Sequence, residues 1–241
     1  MTFALVGHPV EGSLSPLLFD AAYGGRYPYL LEDCPSFRMA WNCLDIYDGV
    51  NVTAPYKEEA STECHWLSDK ALRSGAVNLV LSEGRRGYNT DVDGVLWALD
   101  GVPSGTALVV GTGGAARAAI TAVQELGCKV SVWGRNPSKV AELEKRFGLC
   151  PPVKEPSIVI YTLPGSAPVP EGVPFEGAVV LEANYRNPKL AGVGCRRYIP
   201  GHRWLLGQAA AGYELFTSEA PDIAAMTAVM ERFCSKYNQI L

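Results

Sequence analysis

The stretch ALVVGTGGAARAAITAVQEL, residues 107–126, decides the fold. Ala107–Val110 is a short apolar, β-branched run, Gly111-Thr112-Gly113-Gly114 is a turn, and Ala115–Leu126 is alanine-rich and helical, with Gly127 as its stop. Within it lies Gly111-x-Gly113-x-x-Ala116. The first glycine permits a tight turn and the second lets a pyrophosphate approach the backbone. The third position must be small so that helix packs on strand, and the helix N-terminus offers free N–H groups to phosphates. Glycine turns after strands are common, so the motif gains its force from sitting after a strand and before a helix.

The pattern continues outward from this unit. Lys129–Trp133 reads as the next strand, and Asn136 caps a helix over Pro137–Phe147 that Gly148 closes. Ile158–Ile160 and Val179–Leu181 read as later strands. This β-α-β-α-β alternation implies a parallel sheet. Toward the N-terminus, Phe3–Val6 and Val50–Thr53 read as strands. Ser15 and Pro16 open one helix, with Ser15 as its cap, Lys57–Ala60 begins another, and Val92–Leu99 is a third. The tail differs: Gln208–Phe216 and Pro221–Tyr237 read as two helices with no strand between them, expected to pack back on the first domain.

Composition sets the limits. The 241 residues carry 48% hydrophobic and 19% charged side chains and a net charge of −4, ordinary for a globular protein. This gives no basis for nucleic acid or an anionic membrane as partner. No run approaches the ~18 apolar residues of a membrane span. The N-terminus lacks the basic region of a secretory signal. Seven cysteines without CxxC spacing read as reduced thiols in a cytoplasm, and the three histidines form no ligand pattern with them, so no metal is expected.

The strand after the glycine turn ends in Trp133-Gly134-Arg135-Asn136. A dinucleotide site for NAD usually has an acidic residue there for the ribose 2′-hydroxyl. Arg135 can instead pair with a 2′-phosphate, with Lys139 one helical turn on, which favours NADP(H). A solvated basic helix start is the plainer alternative.

Polar clusters punctuate the first half: Ser13-x-Ser15-Pro16, Asn51-Val52-Thr53-x-Pro55-x-Lys57, Gly75-Ala76-Val77-Asn78 and Asn89-Thr90-Asp91. Taken singly, each reads as a cap or a surface charge. In this order and spacing, followed by Gly111-x-Gly113-Gly114-Ala115 and Gly201-x-x-Trp204-Leu205-x-x-Gln208-Ala209, they resemble the shikimate dehydrogenase family over nearly the whole chain. Arg135-Asn136-x-x-Lys139 is similar to that family's NADP-reading motif.

The resemblance implies an α/β protein of two domains with a cleft between them: a substrate domain over 1–95 plus 205–241, completed by the C-terminal helices, and a Rossmann-type NADP(H) domain over 96–204. It implies reversible NADPH-dependent reduction of 3-dehydroshikimate to shikimate by a monomer or homodimer. Carried over residue by residue, Ser13 and Ser15 bind the substrate carboxylate. Asn51, Thr53, Asn78, Asp91, Tyr185 and Gln208 hold ring hydroxyls or shape the site, and Lys57 and Asp91 are the catalytic pair. Gly111, Gly113, Gly114 and Ala115 meet the pyrophosphate, while Arg135, Asn136 and Lys139 meet the 2′-phosphate. The chain departs from the family pattern at Phe19-Asp20 (usually His-Asn), at Tyr161-Thr162-Leu163 (often Asn-Ala-Thr), at Trp204 (usually Met) and at Gly134 (commonly Asn). A quinate or aminoshikimate dehydrogenase, or a ligand-sensing protein without turnover, are the alternative readings.

Overall fold

The computed structural model describes residues 1–236 and divides into two compact units, one of Met1–Thr90 with residues 208–236, the other of Asp91–Gly207. The motifs place these breaks near 95 and 205, a few residues away on each side.

The first unit opens with β1 (Phe3–Gly7), α1 (Ser15–Tyr23), β2 (Tyr29–Asp33), α2 (Phe37–Asn42), β3 (Gly49–Val52), α3 (Lys57–Glu63), β4 (Trp66–Leu67), α4 (Asp69–Ser74), β5 (Leu79–Leu81) and β6 (Arg86–Tyr88). Among the described residues its sheet has six strands in the order β2-β1-β3-β5-β6-β4. β1 is parallel to β2 and β3, and β5 runs antiparallel to β3 and β6. β1 and β3 are buried throughout, which explains the unbroken apolar run of β1 and the single polar residue, Asn51, in β3. β2 lies at the edge with Leu30 and Leu31 exposed, and β4 to β6 are two or three residues long, too short for a periodic signal.

The second unit begins with α5 (Asp91–Ala98), followed by β7 (Thr106–Val110), α6 (Gly114–Glu125), β8 (Lys129–Trp133), α7 (Pro137–Phe147), β9 (Ile158–Tyr161), β10 (Val179–Glu182) and β11 (Arg197–Ile199). Its strands are all parallel in the order β11-β10-β9-β7-β8. The order reverses between β7 and β9, and open parallel sheets bind ligands at such a reversal, beyond the carboxyl ends of the strands. α5 belongs here because Val92, Val95, Ala98 and Leu99 share one core with Ala116, Ile120, Val123 and Trp204. That core draws the break back to Thr90 and holds the first turns of α8 (Gly201–Thr217) as well.

The rest of α8 and α9 (Ile223–Lys236) completes the first unit. Phe216 stacks on Phe3 with ring centroids 4.6 Å apart, and Tyr213 Oη donates to the Ser15 carbonyl at 3.0 Å. Tyr237, the expected end of the last helix, lies outside the described residues. No described helix is long and apolar enough to cross a membrane.

Candidate active site

In the first unit the predicted substrate residues converge through hydrogen bonds. Ser13 Oγ accepts the Ser15 N–H at 3.3 Å, and the two hydroxyls stand 3.2 Å apart. Ser15 does not cap α1 as expected: Leu14 occupies the cap in helical conformation, and Ser15 is the first helical residue. Its hydroxyl is therefore not committed to a cap. Tyr29 Oη donates to Asn51 Oδ1 at 2.7 Å, and Asn51 Nδ2 donates to the Asn78 carbonyl at 3.1 Å. The Tyr29 phenol is held well above its ordinary pKa by burial, an effect that hydrogen bonding with Ser15 opposes.

Asn78 is the centre of this array. Its Nδ2 donates to Thr90 Oγ1 at 3.0 Å and to Gln208 Oε1 at 3.3 Å, and its Oδ1 accepts the Thr90 N–H at 2.8 Å. The side chain is buried, so these bonds satisfy groups that would otherwise be costly. Ser13, Ser15, Asn51, Asn78 and Gln208, far apart in sequence, are thereby brought into one unit. Thr53 follows β3, its N–H bonded to the Val6 carbonyl at 2.9 Å and its methyl against Gly7, where a Cβ could not fit.

Lys57 is the first residue of α3, half-buried, and its carbonyl accepts the Val77 N–H at 2.8 Å, tying it to the segment before Asn78. Asp91 is the first residue of α5 and is buried. Its neighbour Asn89 is fixed by bonds from Nδ2 to Ser74 Oγ and to the Ala76 carbonyl, both 2.9 Å. The Asn89-Thr90-Asp91 run thus commits two side chains to architecture.

In the second unit the glycine turn occupies the sheet's reversal point. Gly111 has φ +129°, and a Cβ there would collide with Thr162 Oγ1 at the end of β9, so glycine is required by the chain itself. Gly113 is different. Its φ of −93° and ψ of −171° are open to any residue, and no atom lies within 4 Å of where its Cβ would be. The packing of the chain gives no reason for glycine there, and the open position lies at the N-terminus of α6, which Gly114 and Ala115 begin. Ala116 is fully buried, meeting the demand for a small third position.

Beyond β8, Asn136 caps α7, its Oδ1 accepting from Ser138 N at 3.0 Å and Lys139 N at 3.4 Å, while Arg135 and Lys139 are exposed. Gly134 is close-packed: a Cβ would strike the Thr112 methyl. Tyr185 belongs to the second unit, on the loop after β10. Sequence reasoning missed Tyr29, whose tyrosine at the start of an irregular edge strand carries no motif, and it did not anticipate that Thr90 partners Asn78.

The open face of Gly113 at the N-terminus of α6 suits a dinucleotide, and with the parallel sheet around it the second unit is a Rossmann-type dinucleotide-binding fold. Comparison with known proteins narrows the class. Residues 5–80 match the family model for the shikimate dehydrogenase substrate binding domain. The chain is 35% identical to shikimate dehydrogenase (NADP(+)) of Thermus thermophilus over 96% of its own length and 98% of the relative's, and 33% identical to the Moorella thermoacetica enzyme of the same name over 94% and 91%. It superposes on the crystal structure of the Thermus thermophilus shikimate 5-dehydrogenase in complex with NADP(H) and shikimate with a TM-score of 0.83, at 34% identity, covering 96% of this chain and 99% of that one. The chain belongs to the shikimate dehydrogenase family.

Proposed function

We propose that this protein catalyses the reversible NADPH-dependent reduction of 3-dehydroshikimate to shikimate. The observation that carries the reading is the hydrogen-bonded array running from Tyr29 through Asn51 and Asn78 to Gln208 and Thr90, beside the Ser13–Ser15 pair. A polyhydroxylated ring needs donors and acceptors held in fixed directions, and an array whose members orient one another supplies them. Ser13 and Ser15 take the carboxylate, and Asn51, Thr53, Asn78, Tyr185 and Gln208 take or flank the hydroxyls.

NADPH, when bound, supplies the hydride. The residues that hold it are Gly111, Gly113, Gly114 and Ala115 at the pyrophosphate and Arg135 and Lys139 at the 2′-phosphate, with Asn136 shaping the helix start beneath them. Reduction of the ketone leaves negative charge on its oxygen. The Lys57 ammonium stabilises that charge, and Lys57 and Asp91 together manage the proton that completes the alcohol. In the reverse direction the same groups take the proton from the alcohol. We place this work in a reducing cytoplasm, in keeping with seven cysteines none of which is in a disulfide.

The test is the reduced-nicotinamide absorbance of the purified chain with shikimate and with NADP or NAD in parallel. Reduction with shikimate and NADP, well ahead of NAD, is expected. Reduction only with quinate or an amino analogue would move the substrate assignment, and binding without turnover on any of them would overturn the enzymatic reading.

A further inference from the structure

Glu182 is a carboxylate with no exposed surface, at the last position of β10. It faces an apolar layer containing Val110, Tyr161, Val180 and Leu190, beside Tyr198. Burying a carboxylate is costly unless its oxygens are satisfied. Here one oxygen accepts the Lys189 N–H at 2.8 Å, and the other accepts the Leu190 N–H at 3.1 Å and the Tyr198 hydroxyl at 2.8 Å. The Tyr198 phenol is held far above its ordinary pKa by burial and by this carboxylate, so it stays a donor.

Two of these bonds close a loop, and the third ties its base to β11. Residues 183–188 leave β10 at Glu182 and return to the same side chain at Lys189 and Leu190, and Tyr185 sits within the span. The closure is reinforced locally. Asn184 Nδ2 donates to the Asn187 carbonyl at 2.8 Å, and Asn187 N donates back to Asn184 Oδ1 at 3.3 Å. The Asn184 amide also fills the space where a Cβ at Gly165 would stand, and Lys189 Nζ donates to the Ala167 carbonyl at 2.7 Å. The loop after β9 and the loop after β10 are therefore fastened to each other, and Glu182 stands at the base of the second.

We propose that Glu182 is a positioning residue for turnover: its buried carboxylate fixes the loop that carries Tyr185, and so sets where the Tyr185 hydroxyl meets the substrate. This rests on the substrate role given to Tyr185 above. A carboxylate suits the position because it accepts three donors and offers none. An amide of the same shape turns an NH2 group toward one of those donors and leaves an N–H or phenol unpaired.

The test is a double-mutant cycle on the full chain with Glu182→Gln, Tyr185→Phe and the pair, reading kcat and KM for shikimate, the dissociation constant for NADP and the melting temperature. Glu182→Gln is expected to raise KM for shikimate about tenfold, a loss near one hydrogen bond to a well-placed group, while NADP affinity stays within about twofold. In the Tyr185→Phe background the same change is expected to add almost nothing to the loss in kcat/KM, although it lowers the melting temperature equally in both backgrounds. A merely structural role gives independent, multiplying losses, and that result overturns the proposal while leaving the role of Tyr185 intact. Wild-type kcat/KM in Tyr185→Phe overturns the role of Tyr185 and the proposal with it. Should Glu182→Gln fail to fold, Tyr198→Phe removes one donor and leaves the carboxylate. It is expected to show the same non-additivity with Tyr185→Phe at smaller size, and additive losses there likewise overturn the proposal.

Discussion

Asn78 and Thr90 hold each other at both ends of an amide: the Thr90 N–H donates to Asn78 Oδ1 at 2.8 Å while Asn78 Nδ2 donates to Thr90 Oγ1 at 3.0 Å. The pair joins the residue before β5 to the residue before Asp91, so one side chain both closes the first unit and faces Gln208. Asn78→Ala leaves the Thr90 N–H without its acceptor in a buried place, which costs about 1–3 kcal/mol. The expected outcome is a lower denaturant midpoint in a chain that still folds, together with a raised KM for shikimate. Unchanged stability would mean that the pair contributes nothing to holding the unit.

Lys57→Ala tests the proton chemistry. Loss of a positioned acid or base typically lowers turnover by about 10² to 10⁴. Because Lys57 is not among the residues proposed to hold the pyrophosphate or the 2′-phosphate, NADPH affinity measured by fluorescence titration is expected to stay within a few-fold of the parent. Near-parental kcat would remove Lys57 from the mechanism.

The two glycines of the turn make opposite predictions. Gly111→Ala forces a side chain into φ +129° and against Thr162, so the melting temperature falls. Gly113→Ala meets ordinary backbone angles and open space, so stability holds or rises by about 0.4–1 kcal/mol through the unfolded chain, while dinucleotide affinity drops. A Gly113→Ala variant that binds NADPH like the parent would show that no phosphate approaches that backbone.

Much of this is legible in the sequence for physical reasons. The parallel sheet is written in continuous apolar runs because its strands are buried on both faces, and the turn is written in glycines because φ and close approach demand them. The short strands β4 to β6 and β11 are not legible, since two or three residues carry no period. The departures from the family pattern become interpretable only with packing in view. Phe19, Tyr161 and Trp204 are all buried core residues, Phe19 within an aromatic cluster with Phe3, Tyr29 and Tyr213, and Trp204 among α5 and α6. Gly134 is glycine because the Thr112 methyl takes the space of its Cβ. The neighbours these residues pack against lie far away in sequence, and a single chain read in order does not display them.

Arg135→Ala separates the two cofactors. Arg135 is exposed at the end of β8, and a charge-assisted bond to a 2′-phosphate contributes about 1.5–3 kcal/mol. NADPH is expected to bind about ten- to a hundredfold more weakly, with NADH little changed. Equal losses for both would place the 2′-phosphate elsewhere.

His202 gives the protein an acid-sensitive element in its second unit. It lies buried in the first turn of α8, and burial, aided by the neighbouring Arg203 charge, lowers its pKa to about 4 from an ordinary 6.5. The folded state therefore disfavours the protonated ring, and the unfolded chain binds the proton first. The neutral imidazole's contribution is present in full above about pH 6.5 and is lost as pH falls from there toward 4, reaching about 3 kcal/mol at most from a shift of this size. Unfolding free energy measured at intervals across that window is expected to decline more steeply in the parent chain than in His202→Gln, whatever the variant's absolute stability. Parallel slopes would mean that the ring is solvated or charged in the folded state and that the buried position does not govern its protonation.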